Sequence, residues 1–368
     1  MRVVAPTSLL TNWQREIVRF APGLSTHIYH GSERRWQDAT ADVILTSYGL
    51  VRTDAKTLGK PRWRALVIDE AQNIKNPSSQ QTKAVKKLKS AIRIGMSGTP
   101  VENRLREYWS LFDFSNPGYL GTQKRFNTEL ASPIEKERDQ QRLQQFRQIT
   151  APFILRRLKT DTSIISNLPD KLESNRFCSL SKTQAALYQS TVDSIMTELE
   201  DAAEEIERRG LVFKLLNALK QICNSPAHYL GQPSAITEES GKLAAFMELM
   251  REAQEAEKKA LIFTQYRQMG ELLTRQLQTE RGLDVSFLHG GLSQKQRDTL
   301  VETFQHDPRS RALVLSLKAG GTGLNFTAAS QVIHYDLWWN PAVEAQATDR
   351  AFRIGQRKRV LVHRLITA

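Results

Sequence analysis

Only two cysteines, Cys178 and Cys223, occur in 368 residues. They are too few and too far apart in sequence for a disulfide framework or a zinc site, so a reducing compartment is expected. Long apolar runs are missing as well. Stretches such as Ala65–Ile68 and Ala260–Phe263 fall far short of the roughly 20 residues a membrane helix needs. The N-terminus shows no apolar core of a signal peptide, and no strong internal repeat or low-complexity stretch is present. These absences argue against a disulfide-stapled secreted scaffold, a membrane span and a repeat array, and a soluble intracellular protein is expected. Acidic residues are also in deficit: 52 Lys and Arg face 39 Asp and Glu, a net charge of +13. A basic surface gains from releasing counterions condensed on nucleic acid. A plain solvated positive face is the other reading.

What is present is an alternation of short apolar strands and helical patterns. Strands are expected at Arg2–Ala5, Val43–Thr46, Ala65–Ile68 and Ile92–Ser97, with a helix over Leu10–Phe20. That order specifies a parallel α/β sheet. From about Asn116 to Ser240 no strands are expected and polar helices take over, including the charge-dense Met196–Gly210. A second strand series follows at Ala260–Phe263, Val285–Leu288, Ala312–Ser316, Gln331–Tyr335 and Val360–Leu365, with helices at Met269–Glu280 and Gln294–Phe304 between. It reads as a second α/β lobe, and the length suffices for two cores.

The chemistry concentrates at strand ends. Leu66-Val67-Ile68 runs into Asp69-Glu70-Ala71-Gln72, and carboxylates at the end of a buried strand belong to the crevice of a parallel sheet. Phosphoryl transfer needs one carboxylate for a magnesium shell and a second group to orient water. Asp69 fits the first role and Glu70 the second. Ser97-Gly98-Thr99-Pro100 follows another apolar strand and is either a simple turn or a relay beside the carboxylates. Near the C-terminus Arg350 and Arg353 fall one turn apart on an expected helix Ala342–Arg353, so that both guanidinium groups reach a single anion, a triphosphate being the obvious candidate.

The run Gln346, Ala347, Arg350, Arg353, Gly355 and Gln356 resembles the last motif of the Swi/Snf family of helicase-like, superfamily two DNA translocases. Asp69-Glu70-Ala71-Gln72 resembles its DEAD-box-like second motif, and Gly95–Phe114 its third motif and following helix. Phe153–Lys159 looks like a further landmark, in which Arg156 and Arg157 are either phosphate contacts or local ion-pair partners. Pro6-Thr7-Ser8 with Trp13, Thr46-Ser47-Tyr48, Thr264-Gln265-Tyr266 and His289-Gly290 match further family motifs in order and spacing. Each is otherwise an ordinary cap, and Trp13 a core residue. Lys318–Asn325 matches the fifth motif, whose glycines allow close approach to phosphate or ribose.

The resemblance implies two RecA-like parallel-sheet lobes with a helical insertion between them, divided at 1–118, 119–240 and 241–368. It implies ATP and Mg²⁺ as cofactors, with Asp69 holding the metal through water, and double-stranded DNA as a sequence-independent, salt-sensitive partner. Asp69, Glu70, Gln72, Arg350 and Arg353 are implied to be catalytic; Ser97, Gly98, Thr99 and Gln346 to couple; Gly321 and Gly323 to bind nucleotide. DNA contacts are implied for Pro6, Thr7, Ser8, Thr46, Ser47, Thr264, Gln265, His289, Gly290, Lys318, Thr322, Asn325 and Trp339. Trp339 lies against the DNA groove or is a packing anchor. A further protein partner on DNA and a bacterial cytoplasmic or nucleoid location are also expected.

The family's glycine-rich loop ending in Gly-Lys-Thr is not found. Leu58-Gly59-Lys60-Pro61 and Ser240-Gly241-Lys242-Leu243 lack the hydroxyl after lysine and do not join a strand to a helix. The first lobe is therefore expected to be incomplete, missing a central strand beside the one ending in Asp69 and exposing apolar edges. Three readings follow: a duplex translocase motor, a non-catalytic DNA-binding or regulatory module built on that scaffold, and a strand-separating helicase.

Overall fold

The computed structural model describes residues 1–32, 34–36, 41–98, 105–157, 168–202, 204–317, 324–353 and 355–368. The chain divides into two compact units, Met1–Asp161 and Thr162–Ala368. Among the described residues, the first carries β1 (Arg2–Ala5), β2 (Thr26–Tyr29), β3 (Val43–Ser47), β4 (Trp63–Ile68) and β5 (Ser90–Gly95). They form one all-parallel sheet in the order β2-β3-β1-β4-β5. Every residue of β1 and β3 is buried, as expected for Val/Ile-rich strands covered on both faces. Successive side chains enter opposite cores. Val3, Leu45 and Val67 pack with Leu10 and Ile17 of the helix Leu10–Phe20 on one face, and Val4, Ile44, Leu66 and Ile68 with Phe114 on the other. From β1 the chain passes to the edge strand β2, returns inward to β3, then crosses to β4, so strand order reverses between β1 and β4. Loops beyond strand ends flank a crevice at such a point.

Two details differ from expectation. β2 joins the sheet although its four residues lack an apolar run. β4, which ends before Asp69, has neighbours on both sides, and among the described residues the edge on that side lies one strand over, on β5. There Ile92 and Ile94 are exposed, as is Met96 just beyond.

The second unit carries β6 (Lys171–Cys178), β7 (Lys259–Thr264), β8 (Asp284–Leu288), β9 (Ser310–Ser316), β10 (Ala329–His334) and β11 (Val360–Thr367). All are parallel, in the order β6-β11-β10-β7-β9-β8. Ile262, Val314 and Ile333 enter one core, and Leu261, Phe263, Leu313, Leu315 and Val332 the other. Here the order reverses between β7 and β10. The strand β6 falls within the stretch read as helical. It is an edge strand of polar sequence, anchored to β11 by its ladder and by the Arg364–Glu173 ion pair at 2.8 Å, with Lys171 also on Glu173 at 2.7 Å. The same stretch does hold long helices, Lys182–Asp201 and Glu205–Asn224. Among the described residues no helix is long and apolar enough to cross a membrane.

Arg2 is a cost built into the first sheet. It is fully buried, with its guanidinium carbon 4.2 Å from the Trp63 ring centre and 5.5 Å from that of Trp36. Nη1 donates to the Leu58 carbonyl at 2.7 Å, while Nε and Nη2 find no partner among the described residues. Burial pulls its pKa down to about 10. Arg2→Met keeps the aliphatic bulk and removes a buried charge that has no counterion among the described residues, so stability is expected to hold or rise. Arg2→Ala also opens a hole between two indoles and is expected to cost about 2–4 kcal/mol. Urea unfolding followed by tryptophan fluorescence checks both.

Candidate functional site

Asp69 extends β4 by one rung, its N–H donating to the Val4 carbonyl at 2.9 Å. Its carboxylate therefore sits beyond the reversal point of the first sheet, and both oxygens are engaged. Oδ2 accepts from the Trp13 indole Nε1 at 2.9 Å, and Oδ1 accepts from the Glu70 N–H at 2.8 Å. The Asp69 carbonyl accepts from the Tyr48 hydroxyl at 2.7 Å. Burial first, then the charges of Asp69 and Glu70, push the Tyr48 phenol well above its ordinary value, so it remains a donor.

Glu70 lies in the left-handed region, φ 51° and ψ 55°, a conformation costing a side-chain-bearing residue roughly 1 kcal/mol or more. It opens the short turn Ala71–Ile74, fixed by the Ala71 N–H on the Met96 carbonyl at 2.8 Å and by Ser110 Oγ on the Ile74 carbonyl at 2.7 Å. Gln72 Nε2 donates to Glu70 Oε2 at 2.6 Å, and Gln72 Oε1 accepts from Ser97 Oγ at 2.9 Å. The residues read separately as carboxylate pair and relay are thus one hydrogen-bonded chain, Ser97 to Gln72 to Glu70, linking the ends of β5 and β4. Gly98 is exposed next to Ser97. Thr99 lies outside the described residues.

The other crevice wall is the turn after β1. Thr7–Leu9 forms a single 3-10 turn, with the Leu9 N–H on the Pro6 carbonyl at 2.9 Å. Thr7 is exposed, and Pro6 and Ser8 are half-buried. Thr46 and Ser47 do not offer their hydroxyls to a ligand as expected. Thr46 is buried and donates to the Tyr29 carbonyl at 3.2 Å, and Ser47 caps the helix Tyr48–Thr53 through the Leu50 N–H. They follow an apolar run directly and are carried inward with it.

At the reversal point of the second sheet lies a buried acid that sequence reading passed over. Asp336 accepts from Thr264 Oγ1, the Gln265 N–H (2.7 Å) and Asn224 Nδ2 (3.2 Å). Burial raises its carboxyl above the usual range, against those hydrogen bonds and the nearby Lys242 ammonium. Thr264, expected to contact DNA, is therefore fully buried with its hydroxyl spent. The signal was available: Asp336, like Asp69, follows an apolar strand closely.

Gln265 is half-buried, with its amide on the Leu337 carbonyl. Lys220 reaches the same carbonyl at 3.0 Å and lies 4.4 Å over the Trp339 ring. Trp339 is 70% exposed. Glu344 fixes the corner, accepting from the Trp338 N–H at 2.7 Å, and Asn340 caps the following helix through the Ala342 N–H at 3.0 Å. Half-buried His289 accepts from the Gly291 N–H at 3.1 Å, exposed Gly290 is held through its carbonyl by Arg297 at 2.9 Å, and Asn325 is exposed.

The expected helix Ala342–Arg353 is shorter, Pro341–Thr348. Thr348 is held by buried His334 at 2.8 Å. The Arg350 carbonyl accepts from the Phe326 N–H, and the Gln356 amide takes the Ala351 carbonyl at 3.0 Å. Beyond Thr348 the chain winds through turns, so Arg350 and Arg353 do not share a helix face. Arg350 is 5% exposed, Arg353 half-exposed, and Gln346 half-buried on the helix. Lys318, Gly321, Thr322 and Gly323 lie outside the described residues.

Comparison with known proteins bears on this arrangement. The SNF2-related domain matches residues 1–228. The helicase conserved C-terminal domain matches residues 241–355. The chain belongs to the SNF2-related family of helicase-like ATPases. Among curated relatives, "Putative ATP-dependent helicase/translocase YwqA" of Bacillus subtilis is 48% identical over 99% of this chain and 40% of its own length. An "Uncharacterized ATP-dependent helicase" of Mycoplasma pneumoniae is 37% identical over 99% of this chain and 34% of its own length. The chain thus spans about 40% or less of these relatives. A solved structure, "Sulfolobus solfataricus SWI2/SNF2 ATPase core in complex with dsDNA", is 40% identical with a TM-score of 0.49, covering 100% of this chain and 77% of that one.

In this SNF2-related chain the two reversal points are organised differently. The first keeps an acid at the crevice, and the second buries one to hold its strand ends to Asn224 and Lys242. Because folding raises the Asp336 pKa, its contribution favours folding below the unfolded carboxyl range and declines as pH rises through the folded value. Asp336→Asn is expected to flatten that slope and cost about 1–3 kcal/mol, since one of its donors then faces another donor. Thermal unfolding of both forms across pH 4 to 8, roughly the range of raised carboxyls, checks this.

Proposed function

We propose that this chain is the motor portion of an ATP-dependent double-stranded DNA translocase, which couples hydrolysis to movement along duplex and to remodelling of a protein–DNA complex. The observation that carries the proposal is the pairing of a carboxylate engaged on both oxygens, Asp69, with a second, Glu70, wired through Gln72 to Ser97. Asp69 is assigned the water shell of the nucleotide's Mg²⁺, and Glu70 the attacking water. The donor set fits. Among the described residues no group of three or more His, Cys, Asp or Glu converges. Two adjacent carboxylates alone suit a small hard cation that keeps its waters and arrives with phosphates. Asp69 would hold Mg²⁺ through water, and the metal would supply charge neutralisation at the phosphates.

Ser97, Gly98, Thr99 and Gln346 are assigned to coupling, and Gly321 and Gly323 to the nucleotide. Arg350 and Arg353 are assigned to the triphosphate, with half-exposed Arg353 the more accessible finger. Duplex phosphates are assigned to Pro6, Thr7, Ser8, Gln265, His289, Gly290, Lys318, Thr322 and Asn325, with exposed Trp339 at the groove. Support comes from the net charge of +13 and from the name of the Bacillus relative. On this reading residues 1–118 belong to the ATP-binding lobe, 119–240 to a helical protrusion and linker, and 241–368 to the C-terminal lobe, acting in a bacterial cytoplasm or nucleoid.

The test uses the intact protein on two substrates. Displacement of a triplex strand from a blunt duplex, without unwinding of a forked duplex, is expected; unwinding with no triplex displacement would sink the translocase reading. In the same protein Arg353→Ala is expected to lower DNA-stimulated hydrolysis by about three orders of magnitude or more while DNA binding persists. Unchanged turnover removes the finger assignment.

A further inference from the structure

We infer that Trp13 is a positioning residue that ties the duplex-contacting turn after β1 to the metal-holding carboxylate of Asp69. The inference rests on the role proposed for Asp69. Trp13 stands in the first turn of the helix Leu10–Phe20, which continues without a break from the turn Thr7–Leu9. The candidate phosphate contacts Pro6, Thr7 and Ser8 and the indole therefore belong to one short, stiff piece of backbone. An indole carries a single donor, and here that donor is committed to Asp69 Oδ2 at 2.9 Å, 56 residues away in sequence.

The other bond to this carboxylate comes from the next residue, the Glu70 N–H on Oδ1. That local bond moves with the turn itself. Trp13 is the partner that holds the carboxylate from outside it, across the point where strand order reverses. The rest of the ring packs beside the cluster of Leu9, Leu10, Ile17 and Val67, so the donor cannot follow the carboxylate far without disturbing the helix. A hydrogen bond to an ionised acceptor is stronger and more directional than a neutral one. Phosphates seating on residues 6–8 would displace the start of the helix, and the indole carries that displacement to Asp69. DNA occupancy is thereby read at the metal site within the first unit alone.

The test compares Trp13→Phe, which keeps an aromatic ring and removes the donor, with wild type and Asp69→Ala in the intact protein. Trp13→Phe is expected to lower DNA-stimulated kcat about tenfold and to raise the half-saturating Mg²⁺ concentration, the size of effect seen when a partner of a metal ligand is removed. DNA affinity and the KM for ATP are expected to stay near wild type. A second readout needs neither metal nor turnover. In magnesium-free, fluorotryptophan-labelled protein, one fluorine NMR resonance is expected to shift in Asp69→Ala and again when duplex is added to wild type. Its absence from Trp13→Phe assigns it. Should Trp13→Phe fail to fold, Trp13→Tyr supplies the assignment and the Asp69→Ala comparison still decides. Wild-type kcat and Mg²⁺ dependence in Trp13→Phe, or no tryptophan resonance moving in Asp69→Ala, overturns the inference while leaving the proposed function standing. Unchanged hydrolysis in Asp69→Ala overturns the role of Asp69, and the inference with it.

Discussion

A parallel sheet covered on both faces has little room for a charged side chain along its strands, so polar chemistry gathers at the strand ends. Both units follow this, with buried Arg2 at the start of β1 as the costly exception. Ile68 and Val4 are fully buried, yet one residue past Ile68 stands a carboxylate; His334 is fully buried, and two residues on stands another. At each reversal point the emerging acid meets donors from a different part of the chain: Trp13 in one case, Thr264 and Asn224 in the other. The difference between these two acids is then one of cover. Asp69 has two donors and the crevice; Asp336 has no solvent left.

Much of the fold was legible in the sequence because buried parallel strands announce themselves as apolar runs. Arg2–Ala5 and the helix Leu10–Phe20 have the expected bounds, and the interior strands of both sheets differ only at their ends. What escaped were two of the edge strands, β2 and β6. The strand Lys171–Cys178 has almost no buried residue, so it carries no hydrophobic pattern to read, and its place is set by a ladder and ion pairs with a strand nearly 190 residues later. Thr26–Tyr29 is likewise short and only partly buried.

At the candidate site, position was more legible than orientation. That Asp69, Glu70 and Ser97 lie past strand ends follows from pattern alone. Whether a hydroxyl points outward does not. Thr46 and Thr264 sit where an exposed ligand contact is plausible, yet each is drawn inward by an acceptor far away in sequence. The overextended helix has the same origin. Ala-Gln-Ala-Thr-Asp-Arg-Ala is helix-compatible locally, and tertiary claims on the Thr348 side chain and the Arg350 and Ala351 carbonyls unwind its second half.

The edge at β5 carries a consequence for handling the protein. Arg93 is pinned to the main-chain carbonyls of Phe114, Lys86 and Leu88, and the isoleucines on either side of it are exposed. An edge strand with exposed apolar side chains, left unpaired among the described residues, is a template for any extended chain that meets it. A first unit produced alone would thus be limited by association rather than by its core. Its solubility would depend on how fast that one border finds a neighbouring strand.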